Sequence, residues 1–283
     1  MLHAETFECH IRFLKRHFDV IPPLEQTRQP QAMRRHSVSL TFDDGLRNNA
    51  EVVAPILCRH NVPALFFVSS RHSRHGTYLW FSYLMALEAH YPGNSLSVRG
   101  HVMDMTRGRR HTTVAELQKI LLDLTPHSAA LYRVIEEELP PLQEFVDPQL
   151  LRDHYDGMTA EQVRTLSRCP LFEIGTHTVD HPYLTRCSPE ESLRQLRENK
   201  EWIERTTGRR CVSIAYPLGD FDERTVSQCR ELGFTAGFAV EPLPRSSPEF
   251  NLERLGVYFA SLPKLALKVR CGSRIRRLGL SIG

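Results

Sequence analysis

Apolar and polar positions along the chain alternate between helical and strand periods. Residues 6–18 place Phe7, Ile11, Phe13, Leu14 and Phe18 at helical spacing, which predicts an amphipathic helix. Val20-Ile21 reads as the start of a short strand, before a polar, Pro- and Gln-rich linker over 22–36. The alternating run Val38-Ser39-Leu40-Thr41-Phe42 predicts a strand, with Gly45 as the tight turn past its end. Asn48 or Asn49 is a candidate cap for a helix running to about His60, with Val52, Val53, Ile56 and Leu57 inward. Asn61-Val62-Pro63 breaks that helix. Ala64-Leu65-Phe66-Phe67-Val68 is a continuous apolar run, the pattern of a strand buried on both faces of a parallel sheet. Strand, helix and strand at this spacing form a βαβ unit.

Between 71 and 157 strand signals are few. Stretches near 79–90, 113–123 and 127–138 carry helical periodicity, separated by breaks at Pro92-Gly93, Thr125-Pro126 and Pro140-Pro141. A mainly helical insertion is predicted there. From Met158 strands and helices alternate again. Thr159-Ala160-Glu161-Gln162 and Ser188-Pro189-Glu190-Glu191 read as capping boxes. The second opens a helix carrying Leu193, Leu196, Trp202 and Ile203 and ending at Gly208. Phe172–Gly175, Val212–Tyr216, Thr235–Val240 and Arg254–Tyr258 predict strands, and a helix from about Asp222 to Leu232 stops at Gly233. About six strands interleaved with helices make the fold class α/β. A parallel barrel and an open doubly wound sheet both fit, with fewer strands than the eight of a complete β/α barrel.

Composition narrows the function classes. The 283 residues are 41% hydrophobic and 24% charged, ordinary for one large globular domain or a domain with an insertion. A net charge of +3 gives no argument for nucleic acid as a partner. No stretch approaches the roughly 20 apolar residues of a membrane span, and Met1–Thr6 do not open a signal peptide, so a cytoplasmic location is expected. The seven cysteines are scattered and include no C-x-x-C pair, which argues for reduced thiols rather than a disulfide framework or a zinc knuckle. Arg107-Gly108-Arg109-Arg110-His111 reads as a solvated loop or a contact for an anionic substrate. The C-terminal segment 262–283 mixes apolar residues with Lys264, Lys268, Arg270, Arg274, Arg276 and Arg277. It suits a terminal helix packed on the core, or one making peripheral contact with an anionic membrane.

Three stretches carry candidate chemistry. Asp43-Asp44 follow a predicted strand, where adjacent carboxylates repel and burial is costly. A metal ion removes that objection, with one carboxylate as ligand and the other accepting a proton from water. His177-Thr178-Val179-Asp180-His181 follows another predicted strand, and its two histidines can aim at one ion. Two histidines and one carboxylate leave open positions on a metal, as catalytic sites require. The same donor set also occurs in iron oxygenases, where a second aspartate has no obvious task. The third stretch is Ala215-Tyr216-Pro217-Leu218-Gly219-Asp220. Its proline and glycine can set the Leu218 backbone so that an N–H meets a developing oxyanion, or can simply make a strand-to-helix turn.

These stretches resemble the polysaccharide deacetylases of the NodB-homology type, carbohydrate esterase family 4. Thr41 to Gly45 match the family's TFDDG motif, and His177 to His181 match H-[ST]-x-x-H. A variant third motif, A-Y-P-x-G, stands at Ala215–Gly219. The resemblance covers roughly 37–70 and 158–258 and implies a single catalytic domain over 1–283, built as an incomplete, distorted (β/α) barrel of about seven strands. It implies Asp43 as general base and Asp44, His177 and His181 as ligands of a divalent metal ion, zinc foremost, with cobalt, nickel or manganese as alternatives. It implies that Leu218, with Tyr216, Pro217 and Gly219, forms the oxyanion and substrate contacts. The substrate would be an N-acetylated glycan or a lipid-linked precursor, and the variant motif and insertion are similar to bacterial members tied to exopolysaccharide or surface-glycan synthesis. Many members pair the base with an arginine where this chain has Ala215; Arg254 is the candidate replacement. Many also supply a late histidine as general acid, and this chain has no histidine after His181. His154 of the insertion, bound water, or Asp43 once protonated are the candidates for that task. A small-molecule amidohydrolase or deformylase, or a glycan-binding protein without turnover, are the alternative functions.

Overall fold

The structure is a computed structural model and describes residues 3–25, 37–124, 126–240 and 247–277, with backbone alone for 272–277. Strand β1 (Asp19–Val20) follows helix α1 (Ala4–His17) and pairs in parallel with β2 (Ser37–Val38). The single run expected over 38–42 is therefore divided. Its first part bonds to β1, and its second, β3 (Thr41–Phe42), bonds to β4 (Ala64–Val68). Most of the polar linker, 26–36, lies outside the described residues.

The main sheet adds β7 (Phe172–Thr176), β8 (Ser213–Ala215), β9 (Ala236–Ala239) and β10 (Leu252–Glu253). Its order is β10-β9-β8-β7-β4-β3, with every pairing parallel. Each main-sheet strand lies beside the next one in the chain, so the order never reverses. That excludes the doubly wound alternative, which needs a reversal point, and leaves the barrel-type winding. Arg254, just past edge strand β10, donates from Nη1 to Thr41 Oγ1 of the opposite edge strand β3 at 3.2 Å. The two edges of the sheet thus meet through a side chain, as a curled half-barrel requires.

The alternation of β4 distributes its fully buried side chains to two layers. Phe66 and Val68 join Ile56, Leu57, Val163 and Phe172 under the helices, while Leu65 and Phe67 join Ala215 and Phe238 on the other face. Burial of each large apolar side chain there contributes about 1.5–3 kcal/mol. Outer helices are α2 (Ala54–Arg59), α8 (Ala160–Arg168), α9 (Pro189–Thr207) and α10 (Glu223–Glu231). Thr159 and Gln162 form the expected reciprocal capping box on α8. On α9 only half of it forms: Ser188 accepts from Glu191 N, while the Glu191 carboxylate instead takes hydrogen bonds from Ser128, Gln195 and Arg194. Asn48 does not cap α2, which is entered through a π-helical turn over Asn49–Val53, and Val52 faces solvent rather than the core. No strand forms at Arg254–Tyr258; pairing ends at Glu253, and the side chain of Arg254, next in the chain, reaches across the sheet mouth.

Residues 71–157 hold helices α3 (Arg71–His75), α4 (Trp80–His90), α5 (Arg110–Leu122), α6 (Ser128–Glu138) and α7 (Pro148–His154) around a core of their own, centred on Trp80, Leu87, Leu117, Leu121 and Tyr132. The stretch also contains an antiparallel hairpin that helical reasoning passed over, β5 (Ser95–Val98) and β6 (His101–Asp104). Its two-residue turn puts Arg99 at φ 51° and Gly100 at φ 76°, the pair of left-handed residues that matches strand twist. Arg107–Arg109 precede α5, and Arg110 and His111 begin it, so the basic segment is half helix. Helix α11 (Leu262–Arg277) buries Leu265 and lies near α1, where His10 Nε2 meets the Ala260 carbonyl at 3.0 Å. Residues 278–283 of the basic tail, and the side chains of Arg274, Arg276 and Arg277, lie outside what is described. No helix among the described residues is long and apolar enough to cross a membrane.

Candidate active site

All three chemical stretches meet at the carboxyl ends of neighbouring strands. After β3 the chain turns at Asp44, φ 70°, and Gly45, φ 75°. A side chain at Gly45 would stand 2.8 Å from Val68 Cγ1, so the turn accepts only glycine without displacing β4. After β7 come His177–His181, and after β8 the turn Pro217–Gly219. Six non-glycine residues among those described have left-handed φ, and four of them belong to these stretches: Asp44, Thr178 (65°), His181 (54°) and Leu218 (58°). Such conformations cost about 1–3 kcal/mol each and persist only where neighbours determine them.

Those neighbours can be named. Thr178 Oγ1 accepts from His181 N at 3.1 Å. Gln195 Oε1 on α9 accepts from Val179 N and Asp180 N at 3.1 and 2.9 Å. One turn further on, fully buried Asn199 donates to the Val68 carbonyl and Thr176 Oγ1 at 2.7 and 2.6 Å and accepts from Ser70 N at 3.0 Å. A polar stripe of α9 therefore ties the ends of β4 and β7 together. Sequence reasoning followed only the apolar stripe of this helix and missed it.

His177 and His181 each bring Nε2 to 3.4 Å from Asp44 Oδ1. One ligand atom from each of the three residues lies within 4.8 Å of the others, an arrangement that could hold a metal ion. The donor set, two imidazole nitrogens and one carboxylate oxygen, fits a divalent ion of the zinc type with coordination positions left open. His177 Nδ1 donates to the Ala215 carbonyl at 2.8 Å, which turns Nε2 toward Asp44. Burial opposes charge on His177, but Asp43 and Asp44 outweigh it and hold its pKa above the ordinary value. Burial, and then the charge of His177, push His181 down to about 4, so its imidazole stays neutral near pH 7. Burial also opposes the Asp44 carboxylate. The hydrogen bond from His177 leads the contributions that prevail over burial and lower its pKa.

Asp43 faces a cation instead. Arg254 Nη1 and Nη2 donate to Asp43 Oδ1 and Oδ2 at 2.6 and 2.8 Å, a two-pronged pair. The guanidinium lies 5.5 Å over the Phe67 ring, and Arg254 N donates to the Ala239 carbonyl at 2.9 Å. Asn49 Nδ2 donates to the Asp43 carbonyl at 3.2 Å, its actual task in place of capping.

The third stretch differs from expectation. Leu218 occupies the tight turn, its side chain 46% exposed, with Gly219 N bonded to the Tyr216 carbonyl at 3.0 Å. Tyr216 and Pro217 are buried, so of these two only the backbone is placed to take part in the expected oxyanion and substrate contacts. Tyr216 stacks on Phe221 with ring centres 4.0 Å apart and donates to the Phe250 carbonyl at 3.0 Å. An apolar ring with one satisfied hydroxyl is stable there, and the residue supports the turn from below. His154 makes no such contact. It is exposed at the end of α7, and no described contact joins it to Asp43, Asp44 or the two histidines.

The histidine that does lie at the site is His72. It is 6% exposed, its ring lies against the Thr77 and Asp44 backbones, and Asp44 acts on it electrostatically. Burial lowers its pKa to about 4. Gly157 closes over it, since a side chain there would stand 2.0 Å from His72 Cβ and Cγ. The available signal was its position four residues past the end of β4, the neighbour of β3.

Comparison with known proteins follows the same lines. The chain is 25% identical to the Bacillus subtilis protein YxkH over 89 residues, 31% of this chain and 32% of that protein. It is 34% identical over 58 residues to the peptidoglycan-N-acetylmuramic acid deacetylase PdaC of Bacillus subtilis, covering 20% of this chain and 12% of that one. The match thus spans about a third or less of the length of these curated relatives. The solved structure of IcaB from Ammonifex degensii shares the fold, with a TM-score of 0.60 at 15% identity over 95% of this chain and 90% of that one. The family model described as polysaccharide deacetylase matches residues 31–237, which include both the Asp43-Asp44 turn and the two histidines. With its strand-end motifs assembled on that fold, the chain belongs to the polysaccharide deacetylase family.

Proposed function

We propose that this chain is a divalent-metal-dependent hydrolase that removes N-acetyl groups from an amino-sugar glycan or a glycan precursor. The observation that carries this reading is the division of labour between adjacent carboxylates. Asp44 faces His177 and His181, while Asp43 faces Arg254 and keeps about 31% of its side chain open to solvent. One acid is thereby committed to a cation site and its neighbour is left beside it as a proton acceptor. PdaC, a relative over a short segment, is named for N-acetylmuramic acid in peptidoglycan, which supports an N-acetylated sugar as the substrate class.

Asp44, His177 and His181 would hold the ion, which when bound supplies Lewis-acid polarisation of the amide carbonyl and lowers the pKa of a water. Asp43 accepts a proton from the attacking water. Arg254 fixes the Asp43 carboxylate by both oxygens, so that its remaining lone pairs point consistently and its anionic form is favoured. The Leu218 turn offers a backbone N–H to the oxyanion that forms as the water oxygen bonds to the acyl carbon. The carbon–nitrogen bond then breaks, the amine takes a proton, and acetate leaves. Asp43 returns the proton it took.

Acetate release from a panel of N-acetylated glycans, with and without chelator, tests the reading. Zinc-dependent release on at least one glycan supports it. Release that persists after the metal is stripped contradicts the metal dependence.

A further inference from the structure

The two histidines of the candidate metal site are oriented by different parts of the molecule. His177 is anchored through its ring: Nδ1 donates to the carbonyl of Ala215, on β8 of the half-barrel. His181 has no such anchor, for its Nδ1 is buried without a hydrogen-bond partner among the described residues. Its backbone is in the left-handed region. What holds it comes largely from the insertion. Trp80 Nε1 on α4 donates to the His181 carbonyl at 2.9 Å. Tyr132 Oη on α6 donates to the preceding carbonyl, that of Asp180, at 3.0 Å and accepts from Trp80 N at 3.2 Å. Phe81, beside Trp80, sets its ring 4.6 Å from the His181 ring.

A charged layer backs these bonds. Arg71 at the start of α3 donates to Asp180 Oδ1 at 3.1 Å and to Glu136 of α6 at 2.6 Å, and its guanidinium lies 3.4 Å over the Tyr132 ring. Its own N–H bonds the Val179 carbonyl at 3.1 Å. Gln195 and Arg194 of α9 close on the other Asp180 oxygen. The side chain of Asp180 is 3% exposed, so this pairing is shielded from water. Burial, with Asp180 nearby, pushes the Tyr132 hydroxyl far above its ordinary pKa, which keeps it a donor at every working pH.

We infer that the insertion is a positioning element of the metal centre, in which Trp80 and Tyr132 fix the carbonyls on either side of the His181 Cα, those of His181 and Asp180, and so hold His181 against Asp44. This rests on the reading of Asp44, His177 and His181 as metal ligands and extends it: the site is completed by two parts of the molecule, one histidine set by the barrel and the other by the insertion. Neither side chain touches the reacting atoms, so both are positioning residues. Their contribution falls on metal affinity, where loss of an outer-sphere partner commonly costs about 10- to 100-fold.

The test uses the full chain with zinc as the probe. Zinc affinity is read by competition with a chromophoric chelator, and melting temperature is recorded with and without zinc, for the unaltered chain, Trp80→Phe, Tyr132→Phe and Leu117→Ala. Leu117 is fully buried in the insertion core and none of the contacts named above runs through it. Its variant therefore loosens the insertion while sparing both donors. The expected result is an affinity about tenfold weaker in Trp80→Phe and Tyr132→Phe, with a smaller zinc-induced rise in melting temperature. Leu117→Ala should lose melting temperature with and without zinc alike and keep its affinity within about threefold. Affinities within twofold of the unaltered chain for both donor variants would overturn the inference, as would an equal weakening in Leu117→Ala. If the unaltered chain itself takes up no zinc, the metal reading of the site falls first and this inference falls with it.

Discussion

Arg254 and Asp43 come from opposite edges of the main sheet, 211 positions apart in sequence, and meet through two parallel hydrogen bonds of 2.6 and 2.8 Å. The pair links the architecture to the chemistry, because it forms only when the sheet curls enough to bring β10 opposite β3. Arg254→Ala is expected to lower kcat/KM for deacetylation by about 10²–10³-fold, within the range for general acid–base catalysis. Arg254→Lys should restore only part of it, since an ammonium cannot span both oxygens. Steady-state kinetics on a glycan of the panel that yields acetate would check this, and unchanged kinetics in Arg254→Ala would remove the arginine from the proposed mechanism.

Metal removal should show in stability as well as in activity. Zinc at about 100 times its dissociation constant is expected to raise the unfolding free energy by about 2.7 kcal/mol if it binds only the folded chain. His177→Ala should abolish that increment while leaving the protein folded without metal. Chemical denaturation with zinc and with chelator gives both numbers. A full increment in His177→Ala would place the ion elsewhere.

Gly157 should tolerate no side chain. Its replacement by alanine would set a methyl group 2.0 Å from His72, on a backbone held by the Met158 N to Gly45 carbonyl bond. Gly157→Ala is expected to destabilise the fold by about 1–3 kcal/mol, the usual cost of overpacking. An unchanged melting temperature would show that His72 is not enclosed as described.

Acid sensitivity should trace in part to Glu191. Burial raises its pKa, but hydrogen bonds from Arg194, Ser128 and Gln195 overcome this and bring it to about 2, against 4.5 for a free glutamate. A carboxylate with a depressed folded-state pKa adds stability that is fully present above about 4.5 and lost as pH falls toward 2. For a side chain only 9% exposed the contribution is on the order of 3 kcal/mol. The stability gap between the unaltered chain and Glu191→Gln should therefore close over that window, measured by denaturation at a series of pH values. A gap that stays constant below pH 4 would contradict the assignment.

Much of this was legible in the sequence where one local rule was enough. The apolar run Ala64–Val68 announces a strand buried on both faces, and the strand-end positions of Asp43-Asp44 and His177–His181 point to one cation site. Arg254 could be named as a candidate but not placed, because its meeting with Asp43 depends on how far the sheet curls. Tyr216 and His154 could be named but not placed for a related reason. A tyrosine in a motif and a histidine in an insertion read as site residues until packing puts one under the turn and the other into solvent. The hairpin at 95–104 did carry a signal, the alternation of Leu96, Val98 and Met103 around Gly100, which the helical periods on either side obscured. His72 and Asn199 were hidden differently. Their work is done by polar atoms at strand ends and on a helix face, and hydrophobic periodicity does not register polar atoms.

The proposed mechanism turns on Asp43 as the proton acceptor beside an ion held by Asp44, His177 and His181. The most direct measurement is acetate release by zinc-loaded Asp43→Asn, with its bound zinc quantified in the same sample. The account predicts a normal zinc content and acetate release reduced by at least about 10²-fold relative to the unaltered chain. Normal zinc content with undiminished acetate release would contradict it.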